Sequence, residues 1–83
     1  MNENTPKQSV LKQYDARLVG ERLKELRAEK GVGQNKLAAD LCLSNASISY
    51  WETGKQEPSA SAIFKLARYF GVSADYILGL TEY

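Results

Sequence analysis

The chain has 83 residues, with 11 Lys and Arg against 10 Asp and Glu, one cysteine and no histidine. That length predicts a single small domain. The lone cysteine and the missing histidine exclude an intrachain disulfide, a cysteine-based metal site and the commonest general base. A net charge of +1 lends nucleic-acid binding no support by itself, because binders are often strongly basic and draw most of their affinity from phosphate contacts. Function must therefore be read from arrangement. No apolar run approaches the roughly 18–20 residues of a bilayer span. Met1 to Pro6 lacks the basic-then-apolar pattern of a secretion signal. A soluble, cytoplasmic protein is expected, with no cofactor and no metal.

Residues 1–14 are expected to form a tail or a short extra helix ahead of the main domain, which spans 15–80 and leaves 81–83 as its end. Val10, Leu11, Tyr14 and Leu18 lie at helical spacing. Three readings stay open for them: packing on the domain or lengthening its first helix, meeting a second subunit, or guiding an arm with Lys7, Lys12 and Arg17 along DNA. The first helix of the domain starts near Asp15 to Leu18, with Asp15 as cap, and ends near Lys30. Val19, Leu23 and Leu26 form its core stripe, Glu21, Glu25, Lys24 and Glu29 its charged outer face, and Gly31 its stop. Val32 is expected to be buried in the connection.

Gln34 to Gly54 reads as two short helices joined by a tight turn. Leu37, Ala38 and Leu41 share one face of the second helix, which runs from Gln34 to about Leu41 after the weak cap Gly33. The third helix spans Asn45 to Thr53, with Ile48 and Trp51 inward, Ser44 as cap and Gly54 just past its end. Leu43 is placed to plug the angle between them. That leaves Asn45, Ala46, Ser49 and Tyr50 pointing outward. After the loop Gly54 to Ser59, the fourth helix runs from Ala60 to about Phe70, with Ile63, Leu66, Ala67 and Phe70 at core spacing. Gly71 ends it, and Ser73 caps a short fifth helix, Ala74 to about Leu78, ended by Gly79. No strand signal, repeat or low-complexity segment is present. The fold class predicted is all-α, a five-helix bundle with short connections.

The runs Gly20-Glu21-Arg22-Leu23-Lys24-Glu25-Leu26-Arg27, Gln34 with Leu37-Ala38, Ile48-Ser49-Tyr50-Trp51-Glu52-Thr53-Gly54-Lys55, Pro58, and Leu66-Ala67 through Asp75-Tyr76 resemble the phage repressor and Cro type of helix-turn-helix, the XRE family. The resemblance covers about Leu18 to Leu80. It implies a lambda-repressor-like five-helix domain that acts as a dimer on a near-palindromic operator, commonly as a transcriptional repressor. By matched position it implies a structural ion pair between Arg27 and Glu52, and a small residue at Ala38 where two helices cross. It also implies phosphate contacts from Gln34, Lys36 and Lys55, with hydroxyl contributions from Ser47 and Thr53.

Base reading falls on Asn45, Ala46, Ser49 and Tyr50. Asn can pair with adenine N6 and N7, and Ala can touch the thymine methyl. No arginine lies on this face, so half-sites rich in A·T are expected. Cys42 stands where the family often has glycine, which predicts a strained turn and an inert, buried thiol. Homodimer contacts are expected from the fifth helix, with Tyr76, Ile77 and Leu80, or from the N-terminal segment, with Leu11 and Tyr14. The alternative function is a protein-interaction module, antitoxin-like or an adaptor, with DNA contact secondary. An enzyme is not expected, for want of a nucleophile–base pair, a metal constellation or a phosphate-cradling glycine loop.

Overall fold

A computed structural model of the chain describes residues 13–83. The possible extra helix before Tyr14, and Leu11 with it, lie outside the described residues. Five helices follow in order: α1 (Ala16–Lys30), α2 (Gln34–Leu41), α3 (Asn45–Thr53), α4 (Ala60–Phe70) and α5 (Ala74–Leu78). Each begins and ends on local chemistry. The Asp15 carboxylate accepts from the amides of Arg17 (3.0 Å) and Leu18 (3.3 Å), which α1 leaves without intrahelical partners. Ser44, Ser59 and Ser73 do the same for Ser47, Ala62 and Tyr76, at 3.0, 3.1 and 3.0 Å. Gly33 offers α2 no side-chain cap.

None of these helices is long enough to be stable in isolation, so each depends on burying one face. Val19, Leu23 and Leu26 of α1 meet Leu37 and Ala38 of α2, Ile48 and Trp51 of α3, Ala62, Ile63 and Leu66 of α4, and Ile77 of α5 in one apolar core. Leu41 and Leu43 are half-buried against it, and Val32 is half-buried rather than buried.

Helices α1 and α3 cross at Gly20, which is buried in the interior of α1. A Cβ built there would lie 2.5 Å from the Glu52 carbonyl oxygen and 2.7 Å from that of Trp51. The glycine therefore lets the backbones of α1 and α3 touch, and that close packing offsets the glycine's own helix-propensity cost of about 1 kcal/mol.

Two further expectations need correcting. Cys42 does adopt the left-handed conformation, φ 58° and ψ 44°, but its thiol is exposed, not buried. At this C-terminal cap the chain turns sharply: the Cys42 amide donates to Ala39 O and the Leu43 amide to Ala38 O. The turn carries Leu43 inward and leaves the Cys42 side chain in solvent. Ile77, expected at a dimer contact, is fully buried. It is the one residue of α5 that joins the buried core, so it is unavailable to a partner.

Candidate nucleic-acid interface

The helix-turn-helix is set by α2 and α3. On α3, Ile48, Trp51 and Glu52 are buried, while Asn45, Ala46 and Tyr50 are exposed and Ser49 is half-buried. The helix thus has one face committed to the core and one to solvent. Tyr50 is 40% exposed, on the face that α3 turns away from the core.

Behind this face sits a buried carboxylate. The Glu52 side chain is 2% exposed. It accepts from Arg27 Nε at 2.5 Å and Arg27 Nη2 at 2.9 Å, a two-pronged contact whose planar fork matches the carboxylate. Gln34 Nε2 donates to the same group at 3.0 Å. Because a carboxylate only accepts, the Gln34 amide must turn its nitrogen inward. Arg27 Nη1 also donates to the Val32 carbonyl at 3.1 Å. The hydrogen bond to Glu52 raises the Arg27 pKa, against the opposing effect of desolvation. One side chain of α3 is therefore tied to α1 and to the start of α2 at once, and this fixes the angle at which α3 is presented.

The remaining polar groups differ in what they have free. Gln34, half-buried, keeps its second amide hydrogen and its helix-start backbone amide, a position suited to anions. Ser44 Oγ donates to Ser47 Oγ at 2.9 Å, so the Ser47 hydroxyl proton is left over. Thr53 is in the opposite state. Its hydroxyl donates back to Ser49 O at 3.0 Å, and it could donate to a phosphate only by giving up that bond.

Lys36 Nζ lies 3.1 Å from Asp40 Oδ1 in an exposed pair. Lys55 is exposed, and its amide closes the end of α3 on Tyr50 O at 2.9 Å. Asp40 also accepts from the Tyr69 hydroxyl at 2.5 Å. That bond, reinforced by Lys36, holds the Asp40 pKa below the ordinary carboxylate range, and it raises that of Tyr69 in turn.

Three of these roles are not read from the sequence above: Gly20 at the helix crossing, Gln34 as a second donor to Glu52, and Tyr69 on Asp40. Only the first has a local signal, a glycine in the middle of an otherwise strong helix pattern.

The helix-turn-helix family model matches residues 23–77. The HTH-type transcriptional regulator ImmR of Bacillus subtilis is 36% identical over 64 residues, covering 77% of this chain and 50% of ImmR. The chain thus spans about half the length of that relative. Among solved structures, the c2 repressor of phage P22 in complex with a synthetic operator has a TM-score of 0.70 and 33% identity, covering 74% of this chain and 92% of that one. The restriction-modification controller protein C.AhdI from Aeromonas hydrophila has a TM-score of 0.71 and 32% identity, covering 76% of this chain and 96% of that one. The chain belongs to the helix-turn-helix family, in its phage repressor (XRE) type.

Proposed function

We propose that residues 15–80 form the operator-reading domain of a transcriptional repressor that binds a near-palindromic DNA site as a homodimer. The observation that carries this reading is the division of α3: an outer face of Asn45, Ala46, Ser49 and Tyr50 on a helix held from behind by Arg27 and Gln34 through Glu52. Asn45 pairs with adenine, Ala46 and Tyr50 meet thymine methyls, and Ser49 adds a hydrogen bond. Gln34, Ser47 and Lys55 hold phosphates, and Lys36 joins them by exchanging Asp40 for a phosphate oxygen. The P22 c2 repressor, solved with its operator, supports the same use of this fold. No helix among the described residues is long and apolar enough to cross a membrane, in keeping with a regulator that acts on DNA in the cytoplasm.

Self-association is supported by apolar surface away from α3. Phe64 and Leu80 are each 63% exposed, and a groove of about 510 Å³ is lined by Tyr14, Pro58, Ile63, Phe64 and Leu78 among others. With Lys36 and Lys55 as the lysines of the helix-turn-helix offered to phosphate, affinity depends on linking two half-sites.

Selection of binding sites from random duplexes, followed by a salt titration, tests the reading. The expected product is a two-fold symmetric site with A·T-rich half-sites. Log affinity should fall with log salt by about 0.9 for each phosphate neutralised. Enrichment of no duplex, or affinity indifferent to salt, would refute it and favour a module that binds protein.

A further inference from the structure

In a chain so near neutrality, each uncommitted cation counts. Several are engaged within the fold. Arg27 is held by Glu52 and Lys36 by Asp40. Lys65 donates to the Leu41 carbonyl at 3.1 Å, and Arg22 to the carbonyls of Tyr76 and Thr81. Arg17 differs. It is exposed, in the first turn of α1. Its backbone amide goes to the Asp15 cap at 3.0 Å, but among the described residues its guanidinium makes no hydrogen bond or ion pair.

That first turn packs against Gly54, the residue that closes α3. A Cβ built on Gly54 would lie 3.7 Å from Arg17 Cγ and 3.7 Å from the Ala16 carbonyl carbon. Lys55 follows directly and is exposed. Consecutive Cα atoms stand about 3.8 Å apart, so Arg17 and Lys55 rise from neighbouring points at the C-terminal end of α3. The acids nearest in sequence are placed elsewhere: Asp15 caps α1, and Glu57 lines the groove with Tyr14. Two cations side by side repel each other, and an anion held between them relieves that repulsion.

We propose that Arg17 is a further phosphate-contacting residue. It neutralises a DNA phosphate next to the one held by Lys55, so that α1 as well as the loop after α3 grips the backbone beside the reading helix. This rests on the operator reading above. A purely structural role predicts something different: a cation at the negative end of the α3 dipole steadies the helix and leaves the salt response of DNA binding alone.

The test measures affinity by fluorescence anisotropy across a salt series, for the wild type, Arg17→Gln and Arg17→Lys. The probes are the duplex selected as above and a scrambled duplex of the same length and composition. Melting temperature and helicity are recorded for each variant. Between about 50 and 200 mM salt, one phosphate neutralised corresponds to about 3.5-fold in affinity. The loss of affinity over that range should therefore be about 3.5-fold smaller for Arg17→Gln than for the wild type. Both duplexes should be weakened by the same factor, because a phosphate contact carries no sequence information. Arg17→Lys, which keeps the charge, should restore the slope.

An Arg17→Gln variant with the wild-type slope would overturn the inference and leave the operator reading standing. So would weaker binding that follows a lower melting temperature with the slope unmoved, since that makes Arg17 structural. A wild type that prefers no duplex would remove the operator reading and this inference with it. Should Arg17→Gln lose helicity, Arg17→Ala removes the same charge with a stronger helix former, and its slope is read in the same way.

Discussion

Replacing Gly20 by alanine puts two effects of opposite sign in competition, so its outcome weighs the close crossing of α1 and α3 against helix propensity. By helix propensity alone, Gly20→Ala should stabilise the domain by about 1 kcal/mol. The packing says otherwise. The new methyl would sit 2.5 Å from the Glu52 carbonyl oxygen and 2.7 Å from that of Trp51, almost an ångström inside ordinary contact. Both obstacles are backbone atoms of α3, which cannot rotate aside, so the two helices must separate. Overpacking of this kind costs about 1–3 kcal/mol, and an obstacle made of backbone belongs at the upper end. Net of propensity, the loss is about 2 kcal/mol, or roughly 8–16 °C in melting temperature for a domain this small. Thermal and urea unfolding followed by circular dichroism measure it directly. The same displacement would pull Glu52 from Arg27, so DNA affinity should fall with stability. A Gly20→Ala variant as stable as the wild type, or more so, would refute the argument.

Glu52→Ala should be more damaging. It strands the half-buried Arg27 and frees Gln34, and breaking a buried pair costs about 3–5 kcal/mol, so an unchanged urea midpoint would sink the structural role of the pair. Cys42→Gly should stabilise the domain by up to about 1 kcal/mol, the relief of a left-handed non-glycine residue less the added entropy of the unfolded chain. In the wild type, the exposed thiol should react with a disulfide reagent without unfolding; a protected thiol would contradict its placement. Tyr69→Phe should let the Asp40 pKa climb back toward its ordinary value, as read by NMR titration. Because that pKa is depressed in the fold, the stability it contributes is present above the unfolded value and fades as pH falls through the folded one; the variant should show less of this acid-side loss. Lys55→Ala should weaken all duplexes alike and make the salt slope shallower, whereas Asn45→Ala should relax preference at one base pair; the opposite assignment would invert their roles.

The helix limits were legible because their signals are local. Asp15, Ser44, Ser59 and Ser73 cap within three residues of themselves, and Gly31, Gly54, Gly71 and Gly79 occupy the left-handed positions at helix ends. The core stripe of α1 was equally plain in its spacing. What escaped was whatever depends on a distant partner. A five-residue helix has too little period to say which side faces inward, so spacing alone does not reveal that Ile77 is buried. The burial of Cys42 was inferred from the habits of free cysteines, but here backbone geometry decides, and a C-terminal cap turns its side chain to water. Arg22 reaching Thr81, and Tyr69 reaching Asp40, link residues dozens of positions apart, and only the assembled bundle brings them together.

The two faces of α3 separate the residues that hold the fold from those proposed to choose what it reads. Ile48, Trp51 and Glu52 are locked by the core and by Arg27, while Asn45, Ala46 and Tyr50 stand in solvent. Substitutions at such exposed positions usually move stability by no more than about 0.5 kcal/mol. On the proposed reading of α3, target preference can therefore drift, or be transplanted from a relative, by exchanging a few outward side chains on an unaltered chassis. The buried carboxylate of Glu52 makes that freedom possible, since it keeps the helix in place whatever residues it displays.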